Sequence, residues 1–277
     1  MKRIGNLYEK VCSIENLQLA DEKARKGKLR TYGVIEHDKK REVNLLKLRE
    51  TLLNGTFHTS KYDVFTIYEP KEREIYRLPY FPDRILHHAI MNVLEPIWVS
   101  TFTADTYSCI KNRGIHAAAK KVKQALREDP EGTTFCLKLD IRKFYPSINH
   151  DVLKSILRRK LKDKRLLCLL DEIIDSADGV PIGNYLSQYF ANLYLTYFDH
   201  WIKEQKRVKH YFRYADDIVI LASDKSYLHS LMGEIRAYLG DLKLEVKGNW
   251  QVFPVAARGI DFVGYVFFHT HTRMRKG

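Results

Sequence analysis

Two aspartates, Asp216 and Asp217, stand side by side inside the apolar run "HYFRYADDIVILAS" at 210–223. The flanking residues are β-formers, so the run reads as two short strands around a turn that carries the acidic pair. Adjacent carboxylates repel, by about 4 kcal/mol at roughly 4 Å and an effective dielectric near 20. Exposure in a tight turn, where Asp is common, would relieve that repulsion. A divalent cation would offset it directly. "FCLKLDI" raises the same question, because it alternates like a strand and ends in Asp140 and Ile141. If the two strands pair, Asp140 and Asp216 are expected to face one another at the sheet edge.

Three carboxylates on adjacent strands suit two-metal phosphoryl transfer, in which two Mg²⁺ ions about 3.5–4 Å apart hold the attacking and leaving oxygens. Mg²⁺ takes hard oxygen ligands and keeps positions open for water and phosphate. The rest of the chain is basic: among 277 residues the formal net charge is +13. Such an excess favours polyanionic partners, nucleic acid first and an anionic membrane surface second. No apolar run approaches the roughly 20 residues that span a bilayer, and no apolar segment follows the basic start, so neither membrane insertion nor a signal peptide is expected. Cys12, Cys109, Cys136 and Cys168 form no CxxC pair. They read as reduced structural cysteines of a cytoplasmic protein.

Hydrophobic residues make up 45% of the chain, enough for a sizeable core, and neither linker nor repeat interrupts it. "DEKARKGKLR" and "EHDKKREVNLLKLRETLLNG" suggest two charged helices, the second stopping at Asn54-Gly55. "YDVFTIYEP" (62–70) alternates as a strand. Helical patterns cover 83–102, 114–128, the stretch after Asn149, a long segment at 184–205 and 225–242. "KLEVK", "NWQVFPVA" and "GIDFVGYVFF" read as strands. Helices dominate the first third and strands mix in afterwards, which is an α+β pattern.

"YADD" within "FRYADDIVIL" resembles the catalytic motif of reverse transcriptases. Further motifs follow the order of that family. "LDIRKFYPSINHDVL" (139–153) is similar to its first catalytic-aspartate motif. "GVPIGNYLSQYFANLYL" (179–195) is similar to the motif under template and incoming nucleotide. "LKLEVKGNW" (242–250) resembles the next motif, and "GIDFVGYVF" (259–267) the primer-grip hairpin. Upstream, "KEREIYRLPYFPDRILHHAI" (71–90) and "TYSCIKNRGIHAAAK" (106–120) resemble fingers motifs. The resemblance implies a right-hand polymerase with fingers over 1–133, including an N-terminal helical extension. An antiparallel palm is implied over 134–277, with part of the fingers inserted at about 150–180. The chain stops shortly after the primer grip, so the thumb of the family is expected to be missing or truncated.

The resemblance also implies roles. Asp140, Asp216 and Asp217, with the Ile141 carbonyl, would hold two Mg²⁺ ions, Mn²⁺ being able to substitute. Lys247 would approach the triphosphate and its leaving group. Tyr145, or its neighbour Phe144, would be the steric gate that excludes a ribose 2′-hydroxyl. Lys71 and Arg77 would hold the triphosphate, and Arg is suited to bidentate phosphate contact. Ile182, Gly183 and Gln188 would line the nucleotide. Arg113 and Gly114 would approach the template, and Phe262 and Gly264 the primer. The implied partners are an RNA template, a DNA or RNA primer and dNTPs. Group II intron enzymes carry Gln-Gly and Ser-Pro where this chain has Ile182-Gly183 and Ser187-Gln188. The latter pattern resembles diversity-generating retroelements, in which copying is error-prone and an accessory nucleic-acid-binding protein takes part. Retron, intron and phage-defence enzymes stay open as alternatives, as do an RNA-dependent RNA polymerase and a non-catalytic nucleic-acid-binding protein. The pair His269 and His271 reads as a strand end rather than a metal site.

Overall fold

The structure, a computed structural model, describes residues 3–68 and 72–275. Along the chain run helices α1 (Tyr8–Cys12), α2 (Ile14–Ala24), α3 (Tyr32–Asp38) and α4 (Arg41–Asn54), strands β1 (Asp63–Ile67) and β2 (Arg73–Arg77), and helices α5 (Ile85–Val99) and α6 (Ile115–Glu128). Next come β3 (Phe135–Asp140), α7 (Phe144–Ser147), α8 (His150–Lys160), α9 (Lys164–Asp175), α10 (Tyr185–Tyr194) and α11 (Thr196–His200). The chain continues with β4 (His210–Tyr214), β5 (Asp217–Ala222), α12 (Lys225–Asp241), β6 (Gln251–Pro254), α13 (Val255–Arg258), β7 (Ile260–Phe262), β8 (Tyr265–Phe267) and β9 (Thr272–Met274). Two compact units result, one of residues 1–100 with 150–190, the other of 101–149 with 191–277.

The first unit is helical apart from the antiparallel β1–β2 hairpin, registered from Asp63 opposite Arg77 to Ile67 opposite Arg73. Its charged start forms four helices where the sequence suggests two. The first run stops at Ala24, and Gly27 then turns the chain with φ +71°. The second breaks at Lys40, whose φ −141° and ψ 36° are not helical. It ends as expected, with Gly55 in the left-handed region at φ +68°. α2 packs along α5. It buries Leu17, Ala20, Asp21 and Ala24, the i, i+3, i+4, i+7 stripe of an amphipathic helix.

One member of that stripe is a carboxylate. Asp21 is fully buried, and Arg25 Nη2 and Arg41 Nε lie 2.7 and 2.6 Å from its Oδ2. Tyr80 also donates to it. The break at Lys40 is what lets α4 begin with Arg41 beside α2. Burial alone would raise the Asp21 pKa, but His37 Nε2 3.4 Å away and hydrogen bonds from Tyr80, Arg41 and Arg25 hold it well below the carboxylate range.

The second unit holds a four-stranded antiparallel sheet in the order β4-β5-β3-β6 and a three-stranded sheet β7-β8-β9. α12 packs on β3, β5 and β6, while α6 packs on β4 and β8. One core cluster joins Val122 and Leu126 of α6 to Phe212, Val219, Phe253 and Phe262 of the sheets. The expected long helix at 184–205 is instead α10, α11 and a π-helical turn, Trp201–Gln205. Leu195 leaves helical geometry at φ −96°, ψ 0°. There the Thr196 hydroxyl donates 3.0 Å to the Asn192 carbonyl, a bond that bends helices. "KLEVK" forms no strand; its one sheet-like contact is a bridge between Val246 and Ile141.

A folded-state pKa depressed below the unfolded value stabilises above the unfolded pKa of about 3.9 and loses that stabilisation as pH falls. Acid is therefore expected to weaken the first unit below about pH 4 through Asp21. Asp21→Ala, which strands Arg25 and Arg41, should cost about 3 kcal/mol at neutral pH and flatten the acid limb of a thermal-melt pH series.

Candidate active site

Strand alternation builds the site. In β3, Lys138 and Asp140 are two apart and share a face. In β5, Asp217 lies directly opposite Asp140 in the ladder, so its side chain is on that face too. The sequence led us to expect Asp216 opposite Asp140; the register puts Asp217 there, because β4 and β5 pair as far as Tyr214 opposite Asp217. That leaves Ala215 and Asp216 as a two-residue loop. Ala215 takes φ +55°, the positive value that tight hairpins need at their first loop residue. Asp216 lies near enough to Asp140 for the two carboxylates to act on one another, so all three lie at this end of the sheet.

Two lysines offset the repulsion. Lys247 Nζ lies 2.7 Å from Asp140 Oδ2, and the Lys247 amide donates 2.9 Å to the Asp140 carbonyl. Lys138, the diagonal neighbour of Asp217 across the ladder, places Nζ 3.3 Å from Asp217 Oδ1 and also donates to the Asp261 carbonyl. Burial, then the neighbouring Asp140, pushes the Asp216 pKa up to about 6. Burial raises Asp217 as well, against the pull of Lys138.

These groups fit a hard divalent cation. Asp140 Oδ1 and Asp217 Oδ1 are buried with no hydrogen-bond partner. Oxygen donors of this kind are what Mg²⁺ takes. Among the described residues no three His, Cys, Asp or Glu side chains already form a metal-holding group; Lys247 and Lys138 engage Asp140 and Asp217 instead. Ile141 is fully buried beside them. Phe144 is buried at 3% exposure and belongs to the core, whereas Tyr145 is half-buried. Burial raises the Tyr145 hydroxyl pKa, and Asp216 is among the charges that raise it further.

The remaining sequence-selected residues fall elsewhere. Phe262 is buried in the core, with Lys138 Nζ 6.0 Å from its ring. Gly264 turns β7 into β8 at φ +87°, after Val263 at φ +46°, the pair of positive values of a two-residue hairpin. Arg113 donates 2.8 Å to the Thr103 carbonyl, and Gly114 precedes α6. In the first unit, Arg77 is exposed, pairs with Asp63 and lies 5.5 Å over the Phe65 ring. Lys71 lies outside the described residues. The Tyr76 amide donates 2.8 Å to the Ile182 carbonyl, which fastens the Ile182-Gly183 loop to β2. Gly183 takes φ +118°, and a Cβ there would meet the Tyr76 carbonyl oxygen at 2.9 Å, so only glycine fits. Gln188 is exposed on α10.

Sequence reasoning missed what supports the aspartate turn. Arg213, two residues before the loop, is fully buried. Its Nε and Nη2 lie 2.7 and 2.6 Å from the two oxygens of the equally buried Asp199, a bidentate pair. Tyr211 and Thr106 donate to the same carboxylate at 2.5 and 3.0 Å. Arg213 Nη1 reaches Asn192 Oδ1 at 3.2 Å and the Ala215 carbonyl at 3.0 Å, inside the Ala215-Asp216 loop itself. The available signal was an arginine amid the apolar residues of "HYFRY". Lys138 was readable as the one polar residue inside an alternating strand.

Residues 69–267 match the family described as "Reverse transcriptase (RNA-dependent DNA polymerase)". The chain belongs to that family. It is thus a member of the RNA-directed DNA polymerases. Protein YkfC of Escherichia coli (strain K12) is 26% identical over 83% of this reverse transcriptase and 73% of its own length. Group II intron-encoded protein LtrA of Lactococcus lactis subsp. cremoris is 23% identical over 64% of this chain. Apo telomerase from Candida tropicalis superposes with a TM-score of 0.57 at 12% identity over 78% of this chain, a likeness of fold alone. The chain spans 31% of LtrA and 49% of that telomerase chain. No helix among the described residues is long and apolar enough to cross a membrane.

Removing either partner of a buried ion pair strands the other, at about 3–5 kcal/mol. Asp199→Ala and Arg213→Ala should each lower the unfolding free energy by that amount. The double variant should lose clearly less than the sum, since the two share one interaction. Urea denaturation of all four proteins checks this; additive losses would mean that the pair is not coupled.

Proposed function

We propose that this chain adds deoxynucleotides to a primer 3′ end on an RNA template. The reading rests on the convergence of Asp140, Asp216 and Asp217 at one sheet edge with Lys247 beside them. In the reaction the primer 3′ oxygen loses its proton and bonds to the α-phosphorus. The bond from that phosphorus to the bridging oxygen breaks, and pyrophosphate leaves. Asp140, Asp216 and Asp217, with the Ile141 carbonyl, would hold two Mg²⁺ ions. Bound there, Mg²⁺ supplies charge neutralisation at the phosphates and activation of the 3′ hydroxyl. Lys247 is the mobile cation suited to protonating the leaving pyrophosphate. Tyr145 closes the space that a ribose 2′ hydroxyl would need. Arg77 and Lys71 carry charge for the triphosphate. Phe262 and Gly264 would support the primer, and Arg113 and Gly114 the template.

We propose further that Ile182, where intron enzymes carry glutamine, removes a polar restraint near the nucleotide sugar. Copying would then be error-prone, as in a diversity-generating retroelement with an accessory nucleic-acid-binding protein. The match to the reverse transcriptase family supports the broader reading, a polymerase with an RNA template.

Primer extension on a defined RNA template with Mg²⁺ tests both. Asp216→Asn should lower synthesis at least about a hundredfold. Tyr145→Ala should raise ribonucleotide use relative to deoxynucleotide by about tenfold or more. Errors concentrated opposite template adenine would support the retroelement assignment. Accurate DNA would remove it and favour an intron, retron or defence role. Extension by wild-type protein with ribonucleotides alone would make the chain an RNA polymerase.

A further inference from the structure

One histidine of the first unit faces two acceptors. His150 opens α8, and its side chain is 25% exposed. Its Nδ1 lies 3.0 Å from Oδ1 of Asp175, the last residue of α9, and its Nε2 lies 2.8 Å from the Gly179 carbonyl oxygen. A carboxylate and a carbonyl only accept hydrogen bonds, and a neutral imidazole has a single N–H to donate. Either neutral tautomer therefore turns a ring lone pair towards an oxygen. With the proton on Nδ1, the carbonyl of the buried Gly179 loses this donor. With the proton on Nε2, the bare Nδ1 faces the Asp175 carboxylate. The doubly protonated ring serves both.

The charges around the ring fit that form. A helix N-terminus disfavours a cation, so Asp175 is the group that offsets it. Lys154, one turn further along α8, lies 2.5 Å from Asp175 Oδ2, and the two cations share the carboxylate. Burial would raise the Asp175 pKa, but Lys154 and then His150 bring it below the ordinary value, so the carboxylate is ionised and accepts. Asp151, next along α8, is exposed. What the ring holds is the start of a segment that the sequence singled out. Gly179 takes φ +59°, and the chain runs through the buried Val180 and Pro181 to Ile182 and Gly183. At the far end the Tyr76 amide holds the Ile182 carbonyl. The segment is fastened at Ile182 by backbone and at Gly179 by a side chain that can lose its proton.

We propose that His150 is a positioning residue, which holds the turn at Gly179, and with it the Ile182-Gly183 segment, only while both of its ring nitrogens are protonated. Loss of one proton frees Gly179 from α8 and leaves the segment fastened at Ile182 alone. Order in the segment then falls as pH rises through the range in which histidine ordinarily deprotonates, about 6.5. His150 acts through the segment and touches no reacting atom. The consequence for nucleotide binding rests on the polymerase reading, in which Ile182 and Gly183 line the nucleotide; the clamp itself does not, and its first test needs no synthesis.

That test is hydrogen–deuterium exchange of the full chain, without nucleic acid or nucleotide, over peptides covering 179–184. Each rate is divided by that of the unstructured peptide at the same pH. Protection should fall about tenfold between about pH 6 and about pH 8, the loss of one charge-assisted hydrogen bond. His150→Ala should show the low protection at both pH values. His150→Gln, whose amide donates at any pH, should restore most of the protection and remove the pH dependence. Ring nitrogen NMR at about pH 6 should find N–H on both nitrogens of His150. In primer extension, His150→Ala should raise KM for deoxynucleotide several-fold with a smaller fall in kcat, as expected when binding rather than chemistry is disturbed. Equal, pH-independent protection in wild type and a folded His150→Ala would overturn the proposal, and so would a neutral His150 ring at about pH 6. Protection that follows His150 while KM stays unchanged would overturn its role towards the nucleotide. Absence of DNA synthesis in every protein would sink the polymerase reading and leave the exchange result standing.

Discussion

The buried pair of Arg213 and Asp199 governs the second unit. A guanidinium with no exposed surface is tolerable only if every donor is satisfied and its charge is met. Asp199 from α11 meets the charge through two bonds, and Asn192 from α10 and the Ala215 carbonyl take the remaining donors. Tyr211 and Thr106 complete the carboxylate. The geometry of the Ala215-Asp216 loop is therefore set from beneath by a rigid fork. Ala215 can hold its positive φ because the fork grips its carbonyl. Once the loop is fixed, Asp217 must begin β5 opposite Asp140, and the acidic edge follows from the ladder.

That edge shows how the chain manages charge. Three carboxylates lie at one end of a sheet, and burial first, then the neighbouring Asp140, raises the pKa of Asp216. Lys138 and Lys247 offset the repulsion at the sides while Asp140 Oδ1 takes no hydrogen bond. The net charge of +13 favours a polyanionic partner.

Several elements were legible because they depend on local periodicity. The alternation in "FCLKLDI" gave β3, and α5 and α6 lie where apolar stripes recur every three to four residues. Asn54-Gly55 ended α4 as a left-handed cap should. Other readings failed where a distant partner decides. The run at 184–205 has uninterrupted helical character, yet Thr196 bonds back to Asn192 and bends it. The charged start looked like two helices, but the chain breaks at Lys40, and Arg41 then meets Asp21. "KLEVK" has strand composition and only one bridge to β3's end, since β6 takes the place beside β3.

The sequence by itself determined the α+β class and the family, because residue periodicity and ordered motifs are properties of residue order. Tertiary structure alone decided that Asp217, not Asp216, sits opposite Asp140, that Phe144 is buried while Tyr145 is only half-buried, and that Arg213 lies beneath the loop. It also decided that His150 meets Asp175 and Gly179, far along the chain from it. The physical reason is range. Periodicity and turn chemistry act over a few residues, whereas register, burial and counter-charge are settled between segments separated by tens of residues, and no local pattern encodes which segments will meet.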